Sequence, residues 1–260
     1  MNFRVDAFTK FALSTTDDEF GTVNDVYFDS VGNWKVRYII ADTRPWFFGG
    51  KVILSPDSVE RMDIDAQLLH LSATKEEIKD SPKPDEKEPI SRTHEEKILS
   101  HYGLPYYWTA SGGMAQNGTP PYPTVGPLSP VAVEAVIESE EAQISEEPTE
   151  DVNYHLQSSK DLTSYSVYSR GEKIGKIDDI VFDSRTWQVE FIEVNTGTAL
   201  KKTHHLIPVQ KFKEFDPTTE RAHVDIDLEK LKDAPTHEQL TDEHKKGLNK
   251  YYGMSGMSGL

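Results

Sequence analysis

The sequence contains no cysteine, which excludes disulfides, thiol nucleophiles and thiolate-bound zinc. Long apolar runs are absent as well: no window approaches the roughly 20 apolar residues that a membrane-spanning helix needs. The opening MNFRVDAFTK also lacks the continuous apolar segment of a signal peptide. A soluble, cytoplasmic chain without direct membrane insertion is the expectation. Positive charge is scarce, with 28 Lys and Arg against 44 Asp and Glu and a formal net charge of −16. Nucleic-acid binders need a basic surface that displaces counterions from phosphates, so nucleic acid is not the expected partner. The surplus carboxylates keep the protein soluble and favour basic partners. No Gly-x-Ser-x-Gly, phosphate loop or dinucleotide fingerprint occurs, so the sequence gives no support to an enzyme. No catalytic residue and no cofactor is assigned.

What is present is a repeat. Residues 21–30 read GTVNDVYFDS, and 154 positions later residues 175–184 read GKIDDIVFDS. One residue drops out of the following turn, and from Trp34 the offset is 153: WKVRYIIADT pairs with WQVEFIEVNT, and VILSPDSVERMD with HLIPVQKFKEFD. Such long-period self-similarity is read as a duplicated unit. Within each copy apolar and polar residues alternate. Val23, Asp25 and Tyr27 are expected on one strand face and Asn24, Val26 and Phe28 on the other. DSVGNW and DSRTW supply turn residues before a β-branched run, which makes a β-hairpin in both copies. Gly21 and Gly175 fall at strand starts, where a backbone bend or bulge is needed. Asp25, Asp29, Asp179 and Asp183 recur beside turns and are read as acceptors of backbone N–H groups that set turn geometry. With Trp34 and Trp187 they form the set of fold determinants.

Five or six short antiparallel strands on fewer than a hundred residues suggest a small barrel, which removes exposed sheet edges. The expected fold is mainly β: two small antiparallel barrels, each with a short C-terminal helical extension. The expected organisation is a first barrel over 1–84, a helical and aromatic tail over 85–110, and a Pro/Gly-rich then acidic linker over 111–152. A second barrel over 153–236 and a helical tail with flexible C-terminus over 237–260 complete it. The linker contains SGGMAQNGTPPYPTVGPLSP and ESEEAQISEEPTED, compositions unable to bury enough apolar surface to offset chain entropy. VAVEAVIE between them is expected as a brief helix or strand.

HLQSSKDLTSYSVYSRGEKIG followed by DDIVFDSRTWQVEFIEVNT closely resembles the PRC-barrel family, named for the cytoplasmic domain of the photosynthetic reaction centre H subunit. That family also includes the C-terminal domain of the bacterial ribosome maturation factor. The first copy resembles it best in NWKVRYIIADTRPWFFGGKVILSP and less in DAFTKFALSTTDDEFG. The second copy departs where TGTALKKTHHLIPV replaces the aromatic-and-glycine loop. THEEKILSHYGLPYYW and DEHKKGLNKYYGM resemble the helical extension of stand-alone members. The resemblance implies a fold, and a non-enzymatic protein-interaction or assembly module. A second implication is a soluble accessory of a photosynthetic or membrane electron-transfer complex.

Binding is expected at aromatics, which commonly anchor partners. Trp46, Phe47 and Phe48 beside Gly49 and Gly50, with Tyr106, Tyr107 and Trp108, are the candidate surface for a protein partner, and intramolecular barrel pairing or a homo-oligomer is the expected assembly. No metal site is assigned. His204 and His205 are adjacent, so a strand points them to opposite faces, and the sequence offers no third ligand. His94 and His101 read as part of a solvated amphipathic helix with Ile98 and Leu99 inward. Asp63 with Asp65, and Asp225 with Asp227, would each share a strand face but lack the Gly and terminal Glu of a calcium loop.

Overall fold

The computed structural model describes residues 1–15, 19–44, 50–83, 90, 92–107, 156–197, 202–235 and 240–254. The chain forms two compact units, one of Met1–Ile90 with Tyr154–Leu260 and the other of Ser91–Asn153. The larger unit is mainly β. Its first half runs β1 (Asn2–Arg4), α1 (Val5–Phe8), β2 (Ala12–Ser14), β3 (Glu19–Asp29), β4 (Val36–Asp42), β5 (Lys51–Leu54), β6 (Val59–Asp63), β7 (Leu68–Leu71) and α2 (Lys75–Lys79). The smaller unit contributes α3 (Arg92–His101). The second half of the larger unit runs β8 (Leu156–Ser158), α4 (Ser159–Leu162), β9 (Ser166–Ser169), β10 (Glu172–Asp183), β11 (Gln188–Asn195), β12 (His204–Pro208), β13 (Phe212–Asp216), β14 (Arg221–Val224), α5 (Leu228–Lys232) and α6 (Asp242–Tyr251).

These strands make two seven-stranded sheets with one strand order, β5-β4-β3-β2-β7-β6 and β12-β11-β10-β9-β14-β13. In each, a single parallel contact, β2 with β7 or β9 with β14, joins otherwise antiparallel ladders. Among the described residues the ladders do not close, because consecutive β5 and β6 are not paired. A 3₁₀ turn at Pro56–Ser58 stands between them, capped by Ser55 Oγ accepting from the Asp57 N–H. Proline has no N–H to give a ladder, so the chain turns a corner there instead of making a hairpin.

The strict alternation read from GTVNDVYFDS does not survive in β3. A bulge between Val23 and Asp25 shifts the register against β4, and the extra residue reverses which parity faces inward. Val23 is buried before the bulge, and Val26 and Phe28 after it. The same bulge recurs in β10 between Ile177 and Asp179. The largest buried side chains, including Phe20, Phe28, Ile39, Phe182 and Phe191, form the cores beneath the two sheets. Complete burial of one such side chain stabilises the fold by about 1.5–3 kcal/mol.

Candidate functional site

Each half lends its first strand to the other half's sheet. β1 pairs with β10 as Asn2↔Asp183, Phe3↔Phe182 and Arg4↔Val181. β8 pairs with β3 as Leu156↔Asp29, Gln157↔Phe28 and Ser158↔Tyr27. The two registers are equivalent under the offset of the sequence repeat, as the contacts of an isologous dimer are. The hairpin turns of the two halves also meet. Val36 N–H donates to Trp187 O at 2.8 Å, and Val189 N–H donates to Trp34 O at 2.7 Å. Gln188 Nε2 donates to Trp34 O at 3.0 Å and to Asn33 O.

Trp34 and Trp187 both hold positive φ, 55° and 59°, a conformation that is strained for a bulky side chain. Packing overdetermines it. Trp34 stacks on Phe28 and meets Phe215 edge-on, and Trp187 stacks on Phe182 and meets Phe8 edge-on. Each indole therefore joins its own hairpin to the opposite half.

Asp29 and Asp183 set the turns. Asp29 Oδ1 accepts from the Val31 and Gly32 N–H groups at 3.1 and 2.7 Å, and Asp183 Oδ1 accepts from Arg185 N–H at 2.8 Å. Burial alone would raise the Asp183 pKa, but the side-chain and backbone bonds from Arg185 hold it well below the usual carboxylate range. Asp25 and Asp179 differ from the sequence expectation, since they lie at the strand bulges and not beside turns. There a carboxylate can turn back to its own strand and also reach the exchanged segment. Asp25 accepts from Val26 N–H at 2.8 Å, Ser158 Oγ at 2.6 Å, Ser159 Oγ at 2.5 Å and Lys160 N–H at 3.3 Å.

Asp179, in the equivalent place, has fewer donors. Arg4 and Val5 stand where the other half has Ser158 and Ser159, so among the described residues its Oδ1 accepts from two backbone groups, Ile180 N–H at 2.7 Å and Asp6 N–H at 3.3 Å. Burial pushes its pKa up to about 6 from an ordinary value of 3.8, and nearby Glu193 and Asp6 add to the rise against the two backbone bonds. The fold thus prefers the neutral acid. Below the ordinary value, folded and unfolded chains are equally protonated and nothing is lost. As pH rises toward the folded value, the unfolded chain ionises first and stability falls, levelling off above pH 6. Asp179→Asn keeps an oxygen acceptor without the charge. In chelator-containing buffer it is expected to stabilise by about 1–3 kcal/mol at pH 7.5 and to change little at pH 3.5, as read by urea unfolding. A destabilised variant at pH 7.5 would contradict the assignment.

A cleft of about 460 Å³ opens at this junction, lined by Val5 and Asp6 of α1 and by Ser159 and Lys160 of α4. Asp178, Asp179 and Glu193 line it as well. Glu193 is buried, and its Oε2 accepts from Arg4 Nε at 2.6 Å. His204 Nδ1 lies 3.0 Å from Glu193 Oε1 and 3.2 Å from Asp178 Oδ2. Among the described residues, Asp178, Glu193 and His204 are the group whose ligand atoms could hold a metal ion, all lying within 4.8 Å of one another. The adjacent histidines do face opposite ways, with His204 half-exposed and His205 buried. The missing ligands come from neighbouring strands. A legible signal was Glu193 inside the β-branched run, where the first copy has Ile40.

The paired aspartates do not share strand faces. Asp65 lies in the turn after β6, where Asp63 Oδ1 accepts from Ala66 N–H, and Asp227 caps α5 by accepting from Glu229 N–H. Short side chains at strand ends find turn and cap donors more readily than a cation.

Within the smaller unit, α3 carries both His94 and His101, with Ile98 and Leu99 buried. Glu95 is also buried, accepting from Tyr107 Oη at 2.6 Å, with Arg92 Nη1 at 3.0 Å. Tyr106 Oη lies 3.3 Å from Ser100 Oγ. Both tyrosines are half-exposed. Trp46, Phe47, Phe48, Trp108, the 111–152 segment and VAVEAVIE lie outside the described residues. No helix among the described residues is long and apolar enough to cross a membrane.

A comparison with curated proteins finds no match to the chain. A comparison with protein families finds one in the second half, where the strands from β8 to β14 and most of α5 lie: residues 157–231 are a PRC-barrel domain.

Proposed function

We propose that the chain is a tandem of two PRC-type barrels, extended by the helices α3 and α6 and fused as an internal pseudo-dimer, and that it works as a non-enzymatic protein-interaction or assembly module. The observation that carries this reading is the reciprocal strand exchange of β1 onto β10 and β8 onto β3. In a single-copy protein, such an isologous contact would be made by a second chain. Here one chain makes it internally, so the self-pairing surface is consumed and the remaining surface is free for a different partner. The recruiting surface proposed is the aromatic set Trp46, Phe47, Phe48, Tyr106, Tyr107 and Trp108, and the acidic exterior favours a basic protein.

The test uses the full chain. Light scattering should give a mass near the 29.4 kDa of one chain, and the immobilised protein should retain a defined host protein that a variant with all six aromatics changed to Ser does not. A particle of twice the chain mass would contradict internal pairing. Equal retention by the six-residue variant would contradict the surface.

A further inference from the structure

We propose that Asp178, Glu193 and His204 bind one divalent cation of the zinc class, with water from the adjoining cleft completing the coordination. The first argument is distance. Zinc holds imidazole nitrogen at about 2.0–2.1 Å and carboxylate oxygen at about 2.0–2.2 Å, so neighbouring donors of a tetrahedral site stand about 3.3–3.5 Å apart. His204 Nδ1 already lies 3.0 Å from Glu193 Oε1 and 3.2 Å from Asp178 Oδ2. These two edges are within a few tenths of an ångström of the tetrahedral value, and the third, between the two carboxylates, is bounded at 4.8 Å, so the metal would draw Asp178 and Glu193 closer together.

The second argument is angle. Those separations would suit an ion pair, yet Nδ1 is buried and has no hydrogen-bond partner, because neither oxygen lies in line with a proton on it. A hydrogen bond needs that alignment. Donors arranged around a common metal do not have it, since the metal occupies the ring nitrogen's lone-pair direction and the oxygens stand to its sides.

Support around the ligands gives the third argument. Glu193 and His204 sit on adjacent strands β11 and β12, paired through Asn195↔His204 and Glu193↔Leu206. Asp178 is the extra residue of the β10 bulge, a device that re-aims a side chain. The second oxygen of Glu193 is held by Arg4 across the exchanged strand at 2.6 Å, the kind of outer contact that fixes a ligand's orientation. At the same positions in the first half stand Asn24, Ile40 and Lys51, which cannot make the set. The imidazole and two carboxylates suit zinc and its neighbours in the transition series more than magnesium, which prefers oxygen ligands and retains its waters.

The full chain, stripped with chelator, would be titrated calorimetrically with Zn²⁺ and optically with Co²⁺. One equivalent of each should bind, with the intense visible absorption of four- or five-coordinate cobalt. Mg²⁺ in large excess should not displace either. His204→Ala should weaken binding by at least about 100-fold, because a direct ligand matters more than the outer contacts whose loss costs 10–100-fold. Glu193→Gln should lose the cobalt band. Since His204 is half-exposed, its variant should melt at the temperature of the stripped wild type but without the rise that Zn²⁺ gives the latter. Absence of stoichiometric binding, displacement by Mg²⁺, or unchanged affinity in His204→Ala would overturn the site.

Discussion

Replacing Asp25 with Ala is expected to destabilise the larger unit by about 3–5 kcal/mol, whereas the same change at Asp179 should alter stability by no more than about 1 kcal/mol at neutral pH. The two aspartates occupy equivalent bulges, so strand propensity and position cannot separate them. Their donors do. Asp25 is buried and takes the hydroxyls of Ser158 and Ser159 as well as two backbone N–H groups. Removing the carboxylate takes the acceptor from the buried hydroxyls of Ser158 and Ser159 and leaves Val26 N–H only its longer contact to Ser159 Oγ at 3.4 Å; each buried donor left without an acceptor costs about 1–3 kcal/mol, with incomplete additivity. At Asp179 two backbone donors are lost, but so is the cost of burying a poorly matched charge. Urea unfolding of both variants at pH 7.5 provides the measurement. Equal losses would refute the view that Asp25 fastens the exchanged segment. Amide exchange gives a second reading, since faster exchange at Val26 and Lys160 should accompany the Asp25 change.

At these two bulges the two halves differ. In one, a carboxylate is answered by two small hydroxyls, one on each oxygen. In the other, Arg4 stands at the position equivalent to Ser158 and pairs with Glu193 rather than Asp179, leaving Asp179 with fewer donors. A repeat with two matched seams would need only strand pairing. One seam here has exchanged part of its hydrogen bonding for a charged pocket, which is the change expected where a surface takes on chemistry of its own.

Much of the fold was legible because it depends on local patterns. The turn residues in DSVGNW and DSRTW and the β-branched runs after them foretold the hairpins β3–β4 and β10–β11. LLHLSATKEEIKDSP reads as a strand running into a short helix ended by Pro82, and α2 lies there; its capping box, with both hydrogen bonds at Thr74 and Glu77 present, is found in the structure. The bulges at Asn24 and Asp178 were not read from the sequence, although they leave a trace in it: the buried apolar positions step by three residues, from Val23 to Val26 and from Ile177 to Ile180, where strict alternation steps by two. Missing them placed Asp25 and Asp179 at turns. The exchange of β1 and β8 was hidden for a different reason: a three-residue strand is too short to show a period, and its partner lies far away in the chain. Glu193 and His204 could be paired only once the β11–β12 register was known, although a Glu standing where the repeat has Ile40 was a sign that something polar was needed there. The burial of Glu95 in α3 carried no such sign, since Glu-rich THEEK reads as a solvated face.

The position least tolerant of added volume should be Gly175, where even Ala is expected to destabilise by about 3 kcal/mol or more. A Cβ there would lie 2.3 Å from Asn195 O and 3.0 Å from both Asn195 C and Val194 Cγ1. The main obstacle is backbone, so no rotamer change relieves it. Gly175 pairs with Val167 of β9, and the next residue, Lys176, pairs with Ser166 of β9 on one side and with Asn195 of β11 on the other, so β10 is held from both sides where it is pressed against the end of β11. Making room would pull apart the Lys176↔Asn195 pair and loosen the strand that carries both Asp179 and the exchanged β1. Gly171 supplies the control: its φ of +85° also disfavours Ala, but nothing lies within 4 Å of an added Cβ. Backbone strain alone should cost about 1 kcal/mol there. Urea unfolding of Gly175→Ala and Gly171→Ala compares crowding with strain directly. If the two variants lost the same stability, the close approach of β10 and β11 would not be what requires glycine at that step.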